Sequence, residues 1–203
     1  MTRALLIIAA VLLFAGGALR LGGGSERLLH PARFAVTGAT TLSPDRYADA
    51  VARAAPTTPL AALRFPTGER PVVAEAERAT LWLDPPTALV LDRADRVPDA
   101  GAASPLADPS LGPAAVLAGA RAVVGPGPRL AELTWPTLHR ADWQVRFDGG
   151  AVVDVADDSG FPARAQPMDA PAVSTPARWG ATLITGAALL LLAGLFAWTR
   201  RRR

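Results

Sequence analysis

The apolar positions of this 203-residue chain are arranged in two ways. At the ends they form unbroken runs, Ala4–Leu19 and Trp179–Trp198; between the runs they come in short bursts separated by proline, glycine and charge. The C-terminal run carries no charged residue, and as a helix it would extend about 30 Å, the thickness of a bilayer's hydrocarbon core. Trp179 and Trp198 stand where the two interfaces would fall, and Arg200–Arg203 follow. The pattern therefore predicts a transmembrane helix over 179–199 with its basic end in the cytoplasm. The N-terminal run would reach only about 24 Å as a helix. Flanked by Arg3 and Arg20, it predicts a transmembrane helix over 4–21, with a cleaved secretory signal as the alternative. Both readings send the chain between Leu21 and Arg178 across the membrane.

Inside the middle region the bursts alternate as short strands and one kind of helix. Phe34–Gly38 fits a short strand. Ser43, Pro44 and Asp45 form a helix start, with serine as cap, proline in the first position and an acid in the first turn. Tyr47, Val51 and Ala54 share one face of that helix, and Pro56 and Pro59 end it. Strands are predicted over Leu60–Phe65, Val72–Ala76, Thr80–Asp84 and Ala88–Leu91, the last two joined by the turn Asp84-Pro85-Pro86-Thr87. The stretch 98–113 has prolines and almost no large apolar side chain, which predicts a linker. The plan then repeats: a helix over Ala114–Val124, a strand over Arg129–Trp135, and a hairpin from Trp143–Phe147 to Ala151–Val155. A proline-rich tether is expected over 162–178. The fold class expected is α+β, with two small helix-plus-antiparallel-sheet units, 34–97 and 114–161, set between the two membrane helices.

Charge changes the picture in one respect. The chain is basic as a whole, yet all eighteen acidic residues lie between Leu21 and Arg178, against fifteen arginines there. The excess basicity sits on the membrane flanks, so nucleic acid is not an expected partner. There is no cysteine and no lysine, which removes disulfides, thiolate metal sites, Schiff-base chemistry and a P-loop lysine.

The remaining chemistry is sparse. His30 and His139 have no second histidine or cysteine at ligand spacing, and solvated or interface positions suit them better than haem or metal ligation. Asp154, Asp157 and Asp158 could accept a hard cation but lack the calcium-loop spacing, so an acid-rich turn is expected. Ser43, Ser104, Ser110, Ser159 and Ser174 lie at caps, linkers or turns, without the context of a nucleophile elbow. Trp135 and Trp143 are expected in the core. Asp84 is expected to hold its turn by accepting from Thr87 or Ala88. No catalytic, cofactor or metal residue is assigned, and no cofactor is expected.

The helix-then-strands order with Trp82-Leu83-Asp84-Pro85-Pro86-Thr87 resembles the PepSY-associated transmembrane proteins, whose PepSY domains carry a turn of the form Asp-Pro-x-Thr-Gly. Here Ala88 stands in place of the glycine. The second copy, Trp143–Gly160, is degenerate, with Ala156 where the aspartate is expected. The ending Ala193–Trp198 before arginines is similar to that family's closing helix. The resemblance implies an extracytoplasmic interaction or regulatory module of the bacterial inner membrane, with both termini cytoplasmic. Its implied partners are the bilayer and another membrane or periplasmic protein, and it implies no enzyme activity. Larger relatives imply a second role, as an accessory component of a membrane redox or iron-uptake system; haem ligation does not carry over, because neither apolar run has a histidine. An alternative resemblance is to POTRA-like envelope scaffold domains, carried by Phe34–Gly38 and Leu42-Ser43 after an N-terminal anchor.

Overall fold

The computed structural model describes residues 24–98, 101 and 103–166. The chain divides into one compact unit of 30–171 and another made of 1–29 with 172–203. Of the latter, only the short helix α1, Gly24–Leu29, is described.

In the unit 30–171 a 3-10 turn, Pro31–Phe34, precedes helix α2, Pro44–Ala54. Four strands follow: β1 Leu60–Arg64, β2 Val72–Ala76, β3 Ala79–Leu83 and β4 Val90–Asp95. Helix α3, Pro113–Val124, opens a second round of β5 Leu130–Thr134, β6 Asp142–Phe147, β7 Val152–Ala156 and β8 Pro162–Gln166. Each helix begins with proline in its first turn, where the missing N–H costs nothing.

All eight strands form one antiparallel sheet, in the order β4-β3-β2-β1-β5-β6-β7-β8. The two rounds join through β1 and β5, which pair with Leu63 opposite Leu133. Those residues hold the same place in their rounds: Leu60-Ala-Ala-Leu-Arg-Phe-Pro66 matches Leu130-Ala-Glu-Leu-Thr-Trp-Pro136. The pairing is therefore a local two-fold, and the flanking hydrogen bonds obey it. Phe65 N–H donates to the Ala131 carbonyl, and Trp135 N–H donates to the Ala61 carbonyl, both at 2.8 Å.

A row of side chains with no exposed surface crosses six strands through this seam: Leu81, Ala74, Leu63, Leu133, Val145 and Val153. Both helices cover this face, α2 against β1 and α3 against β6, β7 and β8. Tyr47, Val51, Val116 and Ala120 are the helix residues that close the core. The opposite face is polar. There Arg64 ties Glu75 of β2 to Glu132 of β5, each at 3.0 Å, and so spans the seam.

These features correct the expected architecture. The two units predicted at 34–97 and 114–161 are not separate bodies between membrane helices; they share one sheet and one core, because neither half has inward-facing residues enough to bury alone. Phe34–Gly38 is not a strand: Phe34 closes the 3-10 turn that begins at Pro31, and the residues after it are irregular. The expected tether begins with an eighth strand, Pro162–Gln166, whose proline sits at the start of an edge strand, where its missing N–H breaks no ladder. Part of the 98–113 linker is held down: Ser104 Oγ donates to Glu77 at 3.0 Å, Leu106 N–H to the Pro136 carbonyl at 2.9 Å, and Pro105 bridges to Thr137.

The transmembrane character and inner-membrane placement are corrected as well. Among the described residues no helix is long and apolar enough to cross a membrane. The described chain is a sheet-dominated domain with short helices, and the expected spans 4–21 and 179–199 lie outside the described residues.

One contact gives a direct test of how α3 seats. A Cβ on Gly119 would overlap the carbonyl oxygen of Gly160, in the turn between β7 and β8. Alanine is the better helix former by roughly 1 kcal/mol, yet here backbone would have to move. Gly119→Ala should therefore destabilise the protein by about 1–3 kcal/mol, as overpacked sites do, read as a lower denaturation midpoint in urea. A rise in the midpoint would show that α3 does not rest on this turn.

Candidate functional site

Two aspartates at matching places hold the chain leading into each helix. Asp84 ends β3 and is the one buried charged side chain among the described residues, 1 % exposed. Its Oδ1 accepts from Thr37 N–H at 2.8 Å, and its Oδ2 accepts from the Thr37 hydroxyl at 2.7 Å and the Thr87 hydroxyl at 2.6 Å. Burial alone would raise its pKa; the bonds from Thr87 and Thr37 outweigh this and hold it below the usual carboxylate value.

Asp157 follows β7. It accepts from Ser110 N–H at 2.8 Å, Leu111 N–H at 3.2 Å and the Trp143 indole at 2.7 Å. Its pKa is likewise lowered: burial opposes the charge, and the Ser110, Trp143 and Leu111 donors prevail.

The turns explain why the second copy looked degenerate. Asp84 N–H reaches the Leu89 carbonyl while Ala88 N–H returns to Asp84; Ala156 N–H reaches the Phe161 carbonyl while Gly160 N–H returns to Ala156. Asp84 and Ala156 are thus equivalent in the turn, and the second acid has moved one residue on, to Asp157. Ala88 and Gly160 are equivalent too, both left-handed, at φ 57° and 72°. Alanine bears there a strain of about 1 kcal/mol that glycine escapes.

Of the bonds predicted for Asp84, the one from the Thr87 hydroxyl is present. Thr37, which supplies two more, lies 47 residues away and had no signal in the sequence. The other candidates do not converge. His30 and His139 are both exposed. Asp154 accepts from Gln144 at 3.2 Å, away from Asp157. Ser43 stands before α2 without a side-chain cap bond, and Ser174 lies outside the described residues. Trp135 and Trp143 pack in the core with ring centroids 4.7 Å apart. Among the described residues no three His, Cys, Asp or Glu side chains gather at metal-binding distance.

What the fold does open is a pair of clefts related by the two-fold. One, of about 380 Å³, lies between the start of α2, the end of β1 and the side of α3. The other, of about 330 Å³, lies by the side of α2 and Trp135. Their linings correspond: Phe65 with Trp135, Leu130 with Leu60, and Leu117 with Ala48. They differ in charge. Arg121 and Arg129 line the first, where the second has Ala52 and Pro59. The loop Gly125-Pro126-Gly127-Pro128 lies between the two arginines in sequence, and Arg121 Nη1 lies 3.5 Å from the Pro126 carbonyl. Neither arginine is ion-paired among the described residues, although Asp148 also lines the cleft.

Comparison with known proteins adds little. No protein-family model matches the chain. No curated protein matches it either. Among solved structures, a "putative lipoprotein" of Clostridium difficile 630 is similar at 12% identity and a TM-score of 0.45, over 66% of this chain and 96% of its own. That is below the level at which function transfers.

The carboxylates yield a pH prediction. A depressed folded pKa means stability that is present above the unfolded value, about 3.9, and lost as pH falls through the folded value. Asp84→Asn should cost about 1.5–3 kcal/mol at pH 7, the worth of hydrogen bonds to a charged group. The gap between variant and parent should close as pH falls below about 4, where the parent protonates too. Urea melts at both pH values check this; a gap independent of pH would mean that the carboxylate charge is not what holds Thr37.

Proposed function

We propose that this chain is a non-catalytic binding module for another protein. The observation that carries this reading is the furnishing of the clefts. Asp84 and Asp157 are spent on holding the fold, whereas two arginines without an ion-pair partner among the described residues line an open, partly apolar cleft. Carboxylates tied to backbone N–H groups and threonine hydroxyls are poor bases and nucleophiles, because the same bonds that lower their pKa occupy their lone pairs. A cleft of this size, lined by apolar side chains together with polar and charged ones, suits one short segment of a partner. A binding role of this kind is also what the resemblance to PepSY-associated proteins implies.

The test is co-purification of the tagged full chain from its native cells after mild crosslinking. One protein should accompany it in a fixed ratio, and panels of peptidase, esterase and phosphatase substrates should stay at background. Turnover that disappears in His139→Ala or Ser110→Ala protein would overturn the reading in favour of an enzyme.

A further inference from the structure

We infer that the cleft of Arg121 and Arg129 captures the C-terminal end of a polypeptide, with the terminal carboxylate on the arginines and an apolar side chain beneath. This deepens the binding-module reading and rests on it. The argument starts from the two-fold. Each cleft is walled by the segment leading into a helix: Thr41–Pro44 in the first, Leu106–Ala107 in the second. In the second, Leu106 N–H donates to the Pro136 carbonyl at 2.9 Å and closes the wall against the end of β5. The equivalent of Pro136 is Pro66, at the end of β1. In the first cleft the lining segment is held elsewhere: Leu42 N–H donates to the Tyr47 hydroxyl at 2.9 Å, which in turn donates to the Pro85 carbonyl. No hydrogen bond reaches the Pro66 carbonyl among the described residues.

The first cleft therefore offers three things together. A backbone carbonyl can accept a peptide N–H, as Pro136 accepts that of Leu106. An apolar floor of Phe65, Leu117 and Leu130 can receive one side chain. Two arginines, Arg121 and Arg129, line it against the one carboxylate of Asp148. Arginine pairs with carboxylate through parallel, charge-assisted bonds. An extended chain that ends within the cleft satisfies all three, whereas a passing chain would leave the arginines without a counter-charge.

The arginines are not demanded by the fold. The same positions in the other half are alanine and proline, and the architecture there is the same. They are thus a difference between two otherwise matched clefts, which makes the second cleft an internal control.

The experiment titrates the full chain with the tripeptide N-acetyl-Pro-Leu-Ala, once as the free acid and once as the C-terminal amide, followed by NMR of backbone and arginine side-chain N–H groups. The free acid should bind at least about tenfold more tightly than the amide, and its shifts should centre on Arg121, Arg129 and Leu130. The double variant Arg121→Ala/Arg129→Ala should melt where the parent does and bind acid and amide alike. Equal binding of acid and amide by the parent would overturn the inference, as would shifts centred on Trp135 in the second cleft. Sodium acetate alone matching the tripeptide would also overturn it, since a bare carboxylate would then suffice. The two readings fail separately: a partner that still co-purifies with the double variant refutes this cleft and leaves the binding module, while tight capture of the free acid without any cellular partner does the reverse.

Discussion

The pairing of β1 with β5 is the contact on which everything else in this fold rests. Each half of the domain has one helix and four short strands, and many of its inward positions are alanine: Ala74, Ala76 and Ala79 in the first half, Ala120 and Ala151 in the second. Side chains of that size bury little apolar surface, so neither half has the core that an independent domain of its length requires. Setting Leu63 against Leu133 doubles the width of the sheet and lets one row of buried side chains run through both halves. The charged ladder of Glu75, Arg64 and Glu132 lies over the same seam on the other face, where exposure leaves it worth little. Apolar burial and backbone pairing, not charge, hold the halves together.

A two-fold built in this way duplicates every surface near the axis, and the duplicates are free to diverge. Core positions diverge in size while keeping their place: Tyr47 answers to Val116, and Phe65 to Trp135. Tyr47 brings a hydroxyl that Val116 lacks, and that hydroxyl takes the Leu42 N–H, whereas the Leu111 N–H before α3 goes to Asp157. The first cleft is thus walled by a segment tied to a core side chain of α2. Its arginines come from the other half, so the site exists only because the halves are joined.

Much of this order can be read from the residues alone. The start of α2 was marked by Ser43-Pro44-Asp45, and the helix begins there; α3 begins at Pro113, one residue before the expected Ala114. Six strands fall close to their expected places because alternation of apolar and polar residues over five positions is a local property. The fusion into one sheet is not local, since strand pairing across 70 residues leaves no periodic trace. A trace of another kind was available: the matching heptapeptides that begin at Leu60 and Leu130 mark β1 and β5 as counterparts. The eighth strand was hidden by Pro162 and by its place at an edge, where exposed, polar composition reads as tether. The cleft was illegible because its lining comes from five separate stretches of chain that only the seam assembles.

The two aspartates illustrate how such a fold keeps a function of position while losing the sequence that signalled it. In the first half the acid occupies the first position of the turn and catches Thr37. In the second half alanine sits there, and the next residue reaches Ser110 and Leu111 instead. One residue of displacement is tolerable because the target is backbone N–H in an irregular segment, which can shift to meet the carboxylate; a target on a helix face could not. The need itself is set by geometry. Each helix must be delivered to the sheet by a chain that crosses the end of the third strand, and that crossing leaves N–H groups away from any ladder. A carboxylate at the strand end can take two of them at once and gains from its charge in doing so. Whichever residue in the turn can reach will serve, so the constraint acts on the place and not on the motif.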